Sequence, residues 1–244
     1  MPSPEPLSQD FRRLWTAFTL SAVGSAVGSG ALPLVAVLVL DASTFQVSLL
    51  AALAAVASAV IALPFGAAIE QRRKRPVMIT ADLVRCVTLA SVPVAAALHV
   101  LTFTQLCVVG VVQTAAMIAF TAASGAHLKA LVPPAGRAEA NSRLEATSWL
   151  SLSAGPPIGG ALVGLLGATA TLAVDALSFL LSALGVRRIQ APEPDPGLSD
   201  PGRPDPVRPA SRRVDLTSGW RYIFGHRGLR VLFWNSQLFG GPVM

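Results

Sequence analysis

Three ionisable side chains stand in stretches where charge is expensive: Asp82, Arg85 and Asp175 lie inside long apolar runs. Asp82 and Arg85 are three positions apart, so on a helix they share a face and can pair. Ionisable groups at membrane depth are costly, and they usually face a bundle interior or a water-filled cavity. The pair reads in two ways. It is a structural ion pair or snorkelled anchor close to the cytoplasmic end of its span, or it belongs to a substrate or ion path. Asp175 has no partner near it in sequence; it reads as facing a substrate path, as protonated, or as making an interhelical hydrogen bond. Glu145, beside Arg143, reads as a packing residue at a span end.

Enzymic chemistry finds little to work with. No Ser-His-Asp, HExxH or Cys/His pattern occurs, and His99, His127 and His226 are scattered over loops and span ends. Cys86 and Cys107 both lie in apolar runs and read as small buried hydrophobes, with neither a disulfide framework nor metal-ligand spacing. The glycines at Gly24, Gly28 and Gly30 lack the strand–turn–helix setting of a dinucleotide site. No enzyme, cofactor or metal is expected; an integral membrane enzyme and an inert structural or accessory membrane protein stay open as alternatives.

The elements that must position these residues are membrane spans. Of 244 residues 52% are hydrophobic and 13% charged, with a mean hydropathy of +0.59. A soluble domain carries roughly a quarter charged residues, so the fold class is an all-α integral membrane protein. About 20 apolar residues cross a bilayer, and six stretches qualify: 15–40, 46–68, 77–98, 102–126, 144–166 and 169–187. Gly167 and Ala168 form the tight turn between the last two. Pro33 and Pro64 are placed to bend the first two spans. Pro156 and Pro157 are placed to bend the fifth and to free backbone carbonyls there. Gly24, Gly28, Gly155, Gly159 and Gly160 let helices approach closely.

The divisions follow: a cytoplasmic tail 1–13, a six-span bundle 14–188, a flexible Pro-rich linker 189–215, an amphipathic interfacial helix 216–230, and the start of a seventh span 231–244.

The net charge is +6 and the pI near 10.6, and the position of the charges matters more than their sum. Arg12 and Arg13 precede the first span. Arg72, Arg73, Lys74 and Arg75 lie between the second and third, and Lys129, Arg137 and Arg143 between the fourth and fifth. Nine arginines follow the sixth, which accounts for 18 of 19 basic residues; Arg85 is the other. The three opposite connections hold none. Lys and Arg collect on the cytoplasmic side, so both ends of the bundle are expected there, in a cell inner (cytoplasmic) membrane. A nucleic-acid partner is excluded, since these charges build no basic face on a foldable soluble domain.

Several landmarks in order carry a resemblance. They are FRRLW at Phe11–Trp15, ALPLVA at Ala31–Ala36, the run from Gly66 through Glu70 to Arg75, RPVMITADLVR at Arg75–Arg85, EANSRLE at Glu139–Glu145, AGPPIGG at Ala154–Gly160 and DALSFLLSAL at Asp175–Leu184. Together they resemble the N-terminal half of a major facilitator superfamily transporter, in the bacterial drug and siderophore efflux branch, over 11–188 and more weakly over 216–244. The resemblance implies a six-helix bundle that rocks against a second one around a central cavity. It implies proton-linked efflux of a small-molecule substrate; a cavity lined mainly by Ala, Val, Leu and Ser favours an apolar or amphipathic one. It implies an inner gate at Gly66 and Glu70, with Arg72, Lys74 and Arg75 around them. Glu70 stands for the family's usual Asp, Gln71 for Arg and Arg73 for Gly, and Gly24-Ser25 lacks the acid that often follows this glycine. That leaves Asp82 and Asp175 as the coupling candidates. The chain ends where a seventh helix starts, so a truncated form is expected, impaired alone and completed by a second bundle or a homodimer partner.

Overall fold

The computed structural model describes residues 8–70 and 72–193, by backbone alone over 62–70, together with positions 225, 226, 228 and 230. Among these residues every regular element is helical. The chain divides into two units, Met1–Leu198 and Ser199–Met244. In the second, the Arg230 backbone N–H donates to the His226 carbonyl at 3.0 Å. The expected interfacial helix and seventh span otherwise fall outside the described residues.

The first unit holds α1 (Gln9–Gly28), α2 (Ala31–Leu40), α3 (Thr44–Glu70), α4 (Lys74–Ala97), α5 (Phe103–Leu131), a 3₁₀ turn (Pro134–Gly136), α6 (Arg137–Leu166) and α7 (Ala168–Arg187). Among the described residues six spans are long and apolar enough to cross a membrane, with α1 and α2 together making the first. This is an all-α six-span bundle, and the protein is a multi-pass membrane protein.

Local chemistry sets the helix ends. Ser8 caps α1 by accepting from the Phe11 N–H at 3.2 Å, and Thr102 caps α5 from Gln105 at 3.2 Å. The first span breaks at Ser29 and Gly30, ahead of Pro33, which has no N–H to carry the helix through the break. Asp41 ends α2 in the left-handed region at φ 49°, where a short polar side chain is tolerated, and Ala42 N–H returns to the Ala36 carbonyl at 3.0 Å. One residue joins α6 to α7: Gly167, at φ 85° and ψ 160°, a backbone region that glycine alone occupies readily. Ala168 already belongs to α7.

Two of the boundaries that differ from expectation involve charged residues. α4 starts at Lys74, so part of the basic run forms its first turn. α6 starts at Arg137, which puts Arg143 and Glu145 inside a helix whose Arg143–Glu139 pair at 2.6 Å supports the added turns. Pro156 and Pro157 lie inside α6, which stays helical through them.

Helix α4 packs on α5 and α7, α1 on α6 and α7, and α3 on α5. The core has two halves. One gathers Phe11, Leu14, Met78, Phe120, Leu128 and Val186; the other gathers Val35, Leu89, Val92, Leu106, Leu172 and Phe179. On α4, Met78 and Ala81 belong to the first half and Leu89 and Val92 to the second. Asp82 and Arg85 occupy the seam between them.

Candidate functional site

At that seam the bundle buries its charged residues. Asp82 is 0%, Arg85 4% and Asp175 5% exposed. Arg85 is eleven residues past Lys74 in a 24-residue helix, about 16 Å along its axis at roughly 1.5 Å per residue. Arg85 therefore sits near the middle of α4, and it does not snorkel: neighbouring helices enclose its guanidinium.

Each wall of that enclosure comes from a different helix. From α1, Ser21 accepts a hydrogen bond from Arg85 Nη1 at 2.9 Å and Ser25 one from Nη2 at 2.5 Å. From α5, Gln113 accepts from Nε at 3.2 Å while its own amide donates to the Arg85 carbonyl at 2.9 Å. From α7, the Phe179 ring lies 3.8 Å from the guanidinium carbon, a cation–π contact. Asp82 Oδ1 stands 4.0 Å from Nη1 and accepts from the Ser21 hydroxyl at 3.4 Å. Among the described residues its buried Oδ2 has no partner at hydrogen-bond distance, and the Ser182 hydroxyl acts on the same carboxylate from α7. Asp175, on α7, lines a cavity together with Arg85, and accepts from the Ser178 hydroxyl at 3.3 Å. Folding thus brings to one cavity a cation that the sequence around Asp175 lacks.

Small residues on α1 make this approach possible. A side chain on Gly24 would collide with Ser178 and Asp175, and one on Gly28 with Asp175. On the other flank of α1, Gly155 lies against Ala26 and Gly159 against the Val27 carbonyl. Gly160 does not share this role: among the described residues no other element comes within 4 Å of where its Cβ would be, because one residue turns it about 100° away from Gly159.

Two cavities meet at Arg85. One, of about 360 Å³, is lined by Ser25, Leu32, Leu50, Arg85, Gln113, Met117 and Asp175 among others. The second, about 320 Å³, lies between α1, α5 and α6 and includes Phe18, Ser21, Ser25, Arg85, Met117 and Pro156. Both are mainly apolar, with the guanidinium and a few hydroxyls as their polar part.

The basic loop forms a second charge network at the end of the bundle. After α7 the chain turns back. Ile189 is buried, and the N–H groups of Gln190 and Ala191 donate to Asp10 at 3.1 and 2.8 Å. Glu193 accepts from the backbone N–H groups of Lys74 and Arg75, the first turn of α4. Arg75 donates to the Arg187 carbonyl at 3.4 Å, and Arg13 to the Arg188 carbonyl at 2.9 Å. Residues 189–193 are therefore a docked strap, which corrects the expectation of a flexible linker from 189 onward: Ile189 has an apolar site to fill, and two carboxylates bind the strap. Arg72 is exposed and Lys74 Nζ donates to its carbonyl at 2.7 Å. Gly66 and Glu70 belong to α3, with side chains outside the described residues.

Sequence reasoning passed over Ser21, Gln113, Phe179, Asp10 and Glu193, and took Ser25 only as a missing acid. The spacing of Ser21, Gly24, Ser25 and Gly28 on one face of α1, and of Asp175 and Phe179 on α7, is the signal that gathers most of them. Among the described residues no group of three His, Cys, Asp or Glu side chains is placed to hold a metal. A family model described as Major Facilitator Superfamily matches residues 14–244. No curated protein matches the chain.

Proposed function

The chain belongs to the major facilitator superfamily, a family of secondary transporters rather than enzymes, and we propose that it carries a small apolar or amphipathic solute out of the cell in exchange for protons. The observation that carries this reading is Arg85, buried near the middle of α4 beside Asp82, lining both cavities and sharing one of them with Asp175. Two carboxylates and one guanidinium sum to a single negative charge, which a low-dielectric interior penalises. One proton brings the cluster to neutrality, and Arg85 then pairs with whichever carboxylate stays ionised. A solute entering either cavity meets the same guanidinium, so proton and solute act on one group.

In this account the basic end faces the cytoplasm, following the bias of Lys and Arg toward that side. Alternating access comes from rocking of this bundle against a facing one, either a second six-helix bundle or a second copy. The Glu193 strap fixes the α4 end of the inner gate, where Gly66 and Glu70 also belong. Vesicles from membranes that carry the protein as the cell makes it, loaded with a pH-sensitive dye, test the proposal. An amphipathic cation such as ethidium should discharge an imposed pH gradient, and Arg85→Ala should abolish the discharge. A gradient that ethidium and other amphipathic solutes leave untouched contradicts the proposal.

A further inference from the structure

Away from the transport cavities, a third recess lies along α4 and α5. Its volume is about 500 Å³, and it is lined by Val77, Thr80, Ala81 and Val84 from α4 and by Val111, Val112, Ala115, Ala116 and Ala119 from α5. Thr80 and Val84 are exposed on it, on a face of α4 turned away from Met78, Asp82 and Arg85. The lining extends from Val77 to Val84 on α4 and from Val111 to Ala119 on α5, which is about 10–12 Å of groove along the helix axes. Valines and alanines line it from both helices, with the Thr80 hydroxyl as the polar exception, so the groove between them is apolar.

Its remaining lining residue is Arg72, at the end where α4 begins. Arg73, Lys74 and Arg75 follow directly, and no acid lines the groove among the described residues. The α4 amide groups at Lys74 and Arg75 are already occupied by Glu193, so an anion arriving here is met by side-chain cations and not by the helix end.

We propose that this groove is a binding site for an anionic phospholipid, with one acyl chain between α4 and α5 and the phosphate on Arg72. An apolar slot at membrane depth that opens on a basic cluster matches both halves of such a lipid, and basic pockets between spans recognise anionic headgroups in this way. The site is separate from Arg85 and does not depend on the transport reading.

Native mass spectrometry of the purified full-length protein tests it, with phosphatidylglycerol and phosphatidylcholine of identical acyl chains as probes. Phosphatidylglycerol should be retained about fivefold better, the ratio that one cation near an anionic headgroup supplies. Arg72→Gln should remove that preference and leave phosphatidylcholine retention unchanged, and Val84→Trp, at an exposed wall position, should lower retention of both. Equal retention of the two lipids by the unaltered protein, or full phosphatidylglycerol preference in Arg72→Gln, overturns the proposal. So does displacement of the lipid by millimolar inorganic phosphate, which would mark a free-anion site, and so does unchanged retention in Val84→Trp.

Discussion

The bundle holds two charge networks, one near the middle of α4 and one at its basic end, and they are built on opposite terms. In the first, Asp82, Arg85 and Asp175 are almost fully buried, and the guanidinium is tied to three neutral acceptors and one aromatic ring. At the basic end, Asp10 and Glu193 take backbone N–H groups, and the Asp10–Arg13 pair is partly exposed. The first network is costly to assemble and more costly to leave incomplete, since a buried charge that loses its partner cannot recruit water. The second is screened and replaceable, because water or salt can take over each contact. A protein that needed only stability would fill the seam with leucine. Retaining three charges there fits a group that must change protonation and partner during a cycle, while the strap only positions helix ends.

The largest test of that contrast is Arg85→Ala. It should lower stability by about 3–5 kcal/mol, the penalty for stranding buried charge, seen as a fall in the unfolding midpoint in detergent. Adding Asp175→Asn to Arg85→Ala should recover part of the loss, and a purely additive double variant would separate the two residues.

Next in size is the contact that holds α1 against α6. Gly159→Ala drives a methyl into the Val27 carbonyl and should cost about 1–3 kcal/mol as overpacking. Gly160→Ala, one residue on and facing open space, should be neutral or stabilise by up to about 1 kcal/mol through helix propensity. A matched loss at both positions would mean that α6 is sensitive to any side chain there.

The smallest effect is expected at the strap. Glu193→Gln keeps an acceptor for the α4 amides and removes only the charge at the helix N-terminus, worth about 0.3–1 kcal/mol before screening. Raising salt toward 1 M should erase the difference between Glu193→Gln and the unaltered protein while leaving the Arg85→Ala deficit in place, read from paired melting curves.

The span count was legible because lipid imposes it: a run without charge has one use in a chain this apolar. Among the described residues, Arg13 and Arg75 reach the carbonyls of Arg188 and Arg187, so the basic residues flanking the first, third and sixth spans meet at one end, as the alternation of short connections predicts. The enclosure of Arg85 was not legible because its walls, Ser21, Ser25, Gln113 and Phe179, come from α1, α5 and α7 and leave no signal in α4 itself. The pairing of α4 with α7 is a tertiary fact with no local signal, so Asp175 looked partnerless. The strap was hidden by its prolines: 189–193 opens a stretch whose composition reads as linker, and only the buried Ile189 and the carboxylates of Asp10 and Glu193 distinguish it. Gly160 was grouped with Gly159 by adjacency, where the helical turn separates them.

The central claim, that Asp82 and Asp175 share one exchangeable proton around Arg85, is tested most directly by infrared titration of carboxyl groups in the reconstituted protein. The unaltered protein should show one protonated-carboxyl band that disappears on raising pH. That band should be missing in both Asp82→Asn and Asp175→Asn, because the remaining carboxylate then pairs with Arg85 alone. A band that survives in both variants, or none at any pH in the unaltered protein, would contradict the account.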